Sequence, residues 1–322
     1  MRVHFVGAGL IGNKRAAALG PDDTIASVID PDERRVAAFT ESHSNKIDEK
    51  DATAPRPGDA AIIATTHDQL VPAALPFARA GCHLLVEKPG ARTPEEFAEL
   101  INAMQPGTIL AIGFNHRFHP AIRELKQIAE RSNYGPLLSI RARYGHGGRE
   151  GYEREWRASK ETAGGGELLD QGSHLIDLTR FIAGDFQLGY ADLATLYWPM
   201  EVEDNAWLYG TLPGGGRAQL HASWTEWKNL FSLEVAFTTA KVEVFGLGGS
   251  YGPESITVSH MESGLGPPKQ LTTQFPPGDH SWSLEWEDFG HKIHGEGGVG
   301  ASAEDALSVL SVIQEAYRDA DH

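Results

Sequence analysis

A short apolar strand, Val3-His4-Phe5-Val6, runs without a linker into Gly7-Ala8-Gly9-Leu10-Ile11-Gly12, and a helical apolar pattern follows through Ala16-Ala17-Ala18-Leu19. This strand–glycine turn–helix unit restricts the fold more than any other stretch. Gly7 permits the tight turn, Gly9 lets a pyrophosphate approach the backbone, and Gly12 lets the helix pack close to the strand. Leu10 and Ile11 open the helix, whose first N–H groups and positive dipole end face the phosphates. The next strand, Thr24–Ile29, ends at Asp30, close to the spacing expected for an acid that binds the ribose hydroxyls of a dinucleotide. A carboxylate there repels a 2′-phosphate, as do Asp32 and Glu33, while Arg34 and Arg35 soften the repulsion. NAD is therefore expected over NADP.

The alternation continues. Ala60–Ala64 reads as a strand ending in Thr65-Thr66-His67, followed by a helix over Gln69–Ala80 that contains Pro72 and Pro76. Cys82–Val86 is a strand running into Glu87-Lys88-Pro89, and Thr93-Pro94-Glu95-Glu96 is a capped helix start. Thr108–Gly113 is a further strand, ending in Phe114-Asn115-His116-Arg117-Phe118. In a doubly wound sheet, ligands bind beyond the carboxyl ends of the strands. Thr65, Thr66, His67, Glu87, Lys88 and Asn115 are the residues at those ends expected to meet the cofactor, with Arg117 close by as a substrate contact.

After Gly135-Pro136 the text changes to strand-like runs: Leu137–Tyr144, Leu193–Trp198, Asn205–Leu212, Arg217–Trp224, Leu230–Phe237 and Lys241–Phe245. Turn signals such as Pro213-Gly214-Gly215-Gly216 separate them, so antiparallel pairing is expected. Helices are expected around Trp282–His294 and from a Ser302 cap through Ala306, Val309, Val312, Ile313 and Tyr317. The expected architecture is α/β: an N-terminal Rossmann doubly wound parallel sheet over 1–118, then over 119–322 an α+β domain built on a large, mostly antiparallel open sheet.

Between the strands lies Gly164-Gly165-Gly166-Glu167-Leu168-Leu169-Asp170-Gln171-Gly172-Ser173-His174-Leu175-Ile176-Asp177. If it is helical from Leu168 onward, Asp170, His174 and Asp177 share one face, while Leu168, Leu175, Leu178 and Ile182 form the buried one. The polar stripe is either a solvated face or half of a site, with the glycines as the approach to substrate. The loop Gly145–Arg157 is long, polar and aromatic. Arg149, Arg154 and Arg157 could meet phosphates or carboxylates, and Tyr152 or Trp156 could stack on a flat ring; the plainer alternative is a surface loop with ion pairs to its own glutamates.

The formal charge of -16 argues against nucleic acid or an anionic membrane as partner. One cysteine, Cys82, allows no internal disulfide, and the start at Met1 reads as a strand rather than a signal peptide, so a cytoplasmic protein is expected. No apolar run approaches membrane-spanning length. One helix offers too few ligands for a metal site, and none is expected.

Taken together, Gly7–Gly12, Glu87-Lys88-Pro89, Gly113–Phe118, Trp156-Arg157, and Gly164-Gly165-Gly166 with Asp170, Gly172, His174 and Asp177 resemble the glucose-fructose oxidoreductase / inositol dehydrogenase / rhizopine catabolism (Gfo/Idh/MocA) family over essentially the whole chain. The resemblance implies a nicotinamide cofactor, commonly a sugar or cyclitol substrate, and an open sheet that mediates homodimer or homotetramer assembly. It places Lys88 and His174 at the reacting carbinol with Asp170 beside them, and Trp156 and Arg157 at the cofactor. Arg117, Arg149 and Tyr152 are further expected substrate contacts. His67 and Leu70 depart from the Asn and His frequent in the family, and the loop before Asp170 looks most like members acting on nucleotide-linked sugars.

In chemical terms, histidine as a residue type titrates near neutrality, so His174 can accept the carbinol proton while hydride leaves. Lys88 either stabilises the developing alkoxide as a cation or, with its pKa depressed by burial, is itself the base. Two other readings stand beside a dehydrogenase: a redox-neutral glycoside-cleaving or epimerising enzyme of the same family, and a non-catalytic NAD-sensing protein.

Overall fold

The computed structural model describes residues 1–47, 54–262, 264 and 266–320. The described chain divides into two compact units. One comprises Met1–Asn115, Glu161–Gly164 and Ser281–Leu310; the other comprises His116–Lys160, Gly165–His280 and Ser311–His322.

In the first unit, β1 (Arg2–Val6), α1 (Leu10–Ala17), β2 (Thr24–Ile29), α2 (Glu33–Ser42), β3 (Ala60–Ile63), α3 (His67–Arg79), β4 (His83–Glu87), α4 (Pro94–Ala103) and β5 (Leu110–Gly113) follow one another. The strand order is β2-β1-β3-β4-β5, all parallel, with a two-residue antiparallel strand, Ala301–Ser302, on the β5 edge. The strands after β2 are added on the opposite side of β1, so the order of strand addition reverses between β1 and β3, which opens the crevice at the end of β1. β3 and β4 are buried along their whole length, as befits strands covered on both faces. Helix α3 starts two residues earlier than its apolar pattern suggests, and Pro72 and Pro76 both lie inside it.

In the second unit, α5 (Pro120–Arg131) and β6 (Leu137–Gly145) precede the short helix α6 (Lys160–Ala163, in the first unit from Glu161 onward) and α7 (Ser173–Ala183). Then come β7 (Gln187–Ala194), β8 (Asn205–Thr211), β9 (Arg217–Ser223), β10 (Leu230–Phe237), β11 (Ala240–Phe245), β12 (Ser255–His260) and β13 (Lys269–Gln274). The sheet order is β13-β12-β11-β10-β6-β9-β8-β7, antiparallel except for the β6–β9 pair. Helices α5 and α7 cover one face, and Leu138, Tyr190 and Tyr209 are exposed. Helix α8 (Ser281–Ile293) belongs to the first unit, and β14 (Ala301–Ser302) runs directly into α9 (Ala303–Ala320).

The expected strand over Leu193–Trp198 is a correction: β7 ends at Ala194. The carboxylate of Asp204 accepts the N–H groups of Leu196, Tyr197 and Trp198 at 2.8 to 2.9 Å, which curls the segment out of the ladder. Strand β13 escapes the hydrophobic pattern because it is a wholly exposed edge.

A second correction concerns the Gly164–Asp177 stretch. Leu168–Gly172 forms a single wide π-type turn, and only from Ser173 does the α-helix begin. Its polar stripe is not solvated, since Asp170, His174 and Asp177 are all buried. Nor are the glycines an open approach: a side chain at Gly164 would run into Arg92, one at Gly165 into the Tyr317 hydroxyl, and one at Gly166 into the backbone of Glu203. Protein atoms fill each position.

Candidate active site

The turn after β1 lies in the first unit. Gly7 has φ +100° and donates its N–H to Ile29 at 2.8 Å, and a side chain there would fall on the Ala64 carbonyl. A side chain at Gly12 would fall on the Gly7 carbonyl. Gly9 differs: nothing lies within 4 Å of where its Cβ would be, and no side chain caps the first turn of α1. Open space in front of uncapped N–H groups is what a pyrophosphate requires. Leu10 is exposed and Ile11 half-buried beside this opening.

Asp30 anchors the other side. One carboxylate oxygen accepts the Ala8 N–H at 2.9 Å and the other the Asp32 N–H at 2.9 Å. Each oxygen keeps capacity for a ribose hydroxyl, because an ionised carboxylate has about four acceptor sites. Arg34 pairs with Asp32 at 3.0 Å. The residues present therefore fit NAD: a glycine turn, a bare helix start and a carboxylate fixed by two N–H donors.

At the other strand ends, Thr65 donates to the Thr66 carbonyl at 3.1 Å and Thr66 to Asp68 at 2.6 Å. The buried His67 donates from Nδ1 to the Ala163 carbonyl at 2.9 Å, which fixes its tautomer when neutral. Asn115 donates to Ser281 at 2.7 Å. Lys88 is half-buried. Glu87, its neighbour, accepts from the Arg15 Nε at 2.6 Å, while Arg15 also pairs with Glu285 and lies 4.5 Å from the Trp282 ring centroid. Arg15 is fully buried. Burial works against its charge, but the two carboxylates outweigh that and raise its pKa. Removing one partner of such a buried set costs about 3–5 kcal/mol. Glycine at 113 leaves the room this cluster occupies, since a side chain there would crowd both Arg15 and Glu87. Arg15 ties α1, the end of β4 and α8 together, a role the sequence reading missed; its one signal is a charged residue among the alanines of α1.

The wide turn and α7 lie in the second unit. Asp170 accepts from Arg157 Nε at 3.1 Å, and the Arg157 guanidinium lies 4.4 Å from the Trp156 ring centroid. His174 stacks on His116 with ring centroids 3.9 Å apart and an interplanar angle of 21°. Asp177 takes a fork from Arg117, with Nε at 2.9 and 3.1 Å and a terminal nitrogen at 2.5 Å, both residues buried. Arg117, expected at the substrate, thus has its guanidinium committed to Asp177 on α7. The Tyr144 phenol is pushed far above its usual range by burial first and by Tyr251, Asp170 and Glu167 after it. Burial likewise takes Tyr251 up to about 12; its hydroxyl accepts from Gln171 at 2.9 Å. Both phenols stay protonated through the neutral range.

Of the loop residues, Arg149 pairs with Glu155 at 2.7 Å and is exposed. Tyr152 is buried in a cluster with Val202 and Trp224, against Trp198 and Met200. The wide turn is anchored by Glu203, whose carboxylate accepts the N–H groups of Gly166 and Leu168 at 3.0 to 3.1 Å and the Tyr317 hydroxyl at 2.9 Å. Glu203 and His116 carried no assigned role in the sequence reading. Neither has a spacing signal, because their partners lie far away along the chain. Among the described residues, no group of three or more His, Cys, Asp or Glu is arranged to hold a metal ion, and no helix is long and apolar enough to cross a membrane.

A parallel sheet with a glycine turn and an acid after its second strand, followed in the chain by an open antiparallel sheet with a buried Asp–His helix, defines a two-unit protein of the dinucleotide-binding class. Residues 1–113 match the model of the oxidoreductase family with an NAD-binding Rossmann fold, and residues 122–251 match the GFO/IDH/MocA C-terminal domain. The chain belongs to the GFO/IDH/MocA oxidoreductase family, and its N-terminal part is that family's NAD-binding domain. It is 35% identical over 136 residues to levoglucosan dehydrogenase of Pseudarthrobacter phenanthrenivorans, a match covering 41% of this chain and 35% of that protein. To D-glucoside 3-dehydrogenase of Escherichia coli it is 29% identical over 194 residues, covering 57% and 54%. The chain thus spans about a third to a half of the length of these relatives. A solved structure of levoglucosan dehydrogenase in complex with NADH and levoglucosan has the same fold, with a TM-score of 0.86 at 20% identity, covering 100% of this chain and 97% of that one.

Proposed function

We propose that the protein is an NAD-dependent dehydrogenase that oxidises a secondary alcohol of a sugar, cyclitol or sugar derivative, with Lys88, Asp170 and His174 as its catalytic residues. The observation that carries this is His174: an imidazole buried on α7, four residues after an Asp170 already paired with Arg157. Alcohol oxidation demands a group that takes a proton and returns it, and imidazole is the side chain best suited to that exchange. The family's dehydrogenases of levoglucosan, glucosides and inositol support the substrate class.

In this reading the carbinol proton moves to His174, and Asp170 stabilises the imidazolium. Lys88 holds the substrate oxygen, as a cation or as a second base. Bound NAD supplies the hydride acceptor. Gly7, Gly9, Leu10, Ile11, Gly12 and Asp30 are the proposed cofactor contacts, with Thr65, Thr66, His67, Glu87, Asn115, Trp156 and Arg157 completing them. Arg117, Arg149 and Tyr152 join the substrate side only through a movement that frees them from the partners described above. Copies of the chain assemble through the open face of the eight-stranded sheet, and the buried lone thiol of Cys82 suits a cytoplasmic setting.

The test is reduction of NAD by the purified protein against anhydrosugars, glucosides and inositols, followed by the absorbance of the reduced nicotinamide. Net NADH formation is expected, which a redox-neutral enzyme would not give. His174→Ala and Lys88→Ala should each lower turnover by about 10²–10⁴-fold while NAD still binds. Near-normal turnover in both variants would remove the proposed catalytic set.

A further inference from the structure

His116 is the closest aromatic neighbour of His174, and nothing in the reaction outlined above uses it. The two rings stack at 3.9 Å, and both are buried. Tyr144 closes the edges of both, at 5.1 Å from His116 and 5.9 Å from His174. The stack has a second anchor one residue on: Arg117 forks onto Asp177, three residues after His174 on the same helix. The short turn Asn115–Phe118 and α7 are therefore pinned at two successive points, which fixes the overlap of the two imidazoles.

We infer that His116 is a positioning residue for His174: the stacked imidazoles carry at most one proton between them, and the neutral ring of His116 orients and stabilises the imidazolium formed on His174. The inference rests on the proposed role of His174 as proton acceptor. In that step the substrate O–H bond breaks and its proton goes to a ring nitrogen of His174. The oxygen keeps the electron pair and forms the C=O bond as hydride leaves carbon for the nicotinamide.

The surroundings support a single shared charge. Asp170 has Arg157 at 3.1 Å, Asp177 has Arg117, and His119, edge-on to His116 at 5.5 Å, has Glu254 at 3.0 Å. Tyr144 stays neutral, and the remaining acid within electrostatic range of it is the buried Glu167. Asp170, Asp177 and Glu254 thus each already face a cationic or ionisable partner, and the strongest opponent of a second proton on the pair is the first. Two unit charges about 4 Å apart in protein separate the two titration steps by roughly three pH units, and both steps then belong to the pair rather than to either ring.

The experiment is a pH titration of the protein with ¹³C-labelled histidine rings, the two resonances being assigned by their loss in His116→Phe and His174→Asn. In the unaltered protein both rings should respond to the same two steps, about three units apart. In His116→Phe, which keeps a stacked ring but no titratable nitrogen, His174 should titrate in one step. If His174 titrates in one step at the same pH with and without His116, the inference is overturned. The catalytic arm compares His116→Ala, expected to lower kcat about tenfold by releasing the ring, with His116→Phe, expected to recover most of that loss. Equal kcat in His116→Ala and the unaltered protein overturns the positioning role. If no sugar alcohol is oxidised, the proposed function fails, and the titration still decides whether the rings share a proton.

Discussion

Gly9 and Gly12 lie three residues apart in one motif, yet they should respond oppositely to a single methyl group. At Gly12 the new Cβ falls on the Gly7 carbonyl oxygen, with the Gly7 carbonyl carbon 3.1 Å and Phe39 3.9 Å away. Both obstacles on the near side are backbone, so relief requires moving α1 off β1. Overpacking of that kind costs about 3 kcal/mol, offset by up to about 1 kcal/mol from the better helix propensity of alanine. A net loss of about 2 kcal/mol lowers the Tm of a unit this size by roughly 4–8 °C. At Gly9 the Cβ meets nothing within 4 Å, and the residue is the N-cap of α1 with an ordinary φ of -77°. Gly9→Ala should cost only about 0.5–1 kcal/mol, the penalty of an alanine N-cap. Its effect falls on NAD: each lost charge-assisted bond from the turn to the pyrophosphate is worth about 1.5–3 kcal/mol, or roughly 10- to 100-fold in Kd. Calorimetric unfolding and isothermal titration with NAD separate the two. Wild-type NAD affinity in Gly9→Ala, or an equal loss of Tm in both variants, would refute the assignment of Gly9 to the phosphates.

Two further outcomes can be measured on the same material. Asp30→Ser removes the charge that repels a 2′-phosphate, so the ratio of NADP to NAD affinity should rise at least about tenfold; an unchanged ratio would place cofactor choice elsewhere. Burial pushes the Glu203 carboxyl above the ordinary glutamate range, against the pull of the Tyr317 hydroxyl and the Leu168 and Gly166 N–H groups. A pKa raised on folding gives stability that is complete below the unfolded value and is lost as pH rises through the folded one. Glu203→Gln keeps an acceptor oxygen but no charge, so its Tm should fall less than that of the unaltered protein as pH rises above the ordinary glutamate value of about 4. Parallel Tm profiles for the two would count against Glu203 as the source.

What the sequence determined by itself was local and periodic. The strand, glycine turn and helix at residues 3–19, the acid at Asp30 and the alternation to Gly113 are legible because sterics and hydrogen bonding within a few residues dictate them. The same holds for the Asp170–His174 spacing and for most of the antiparallel strands, whose apolar alternation is their own signal. The tertiary structure decided everything that depends on partners distant along the chain. It turned Leu168–Gly172 into a wide turn, because Glu203 collects the N–H groups of Gly166 and Leu168 from 35 to 37 positions away. It filled the space over the three glycines with Arg92, Tyr317 and Glu203, and it committed Arg117 to Asp177 across 60 residues. It joined Arg15 to Glu87 and Glu285 and laid His116 on His174. A buried charge or imidazole takes its meaning from the group that compensates it, and no spacing rule along the chain names that group.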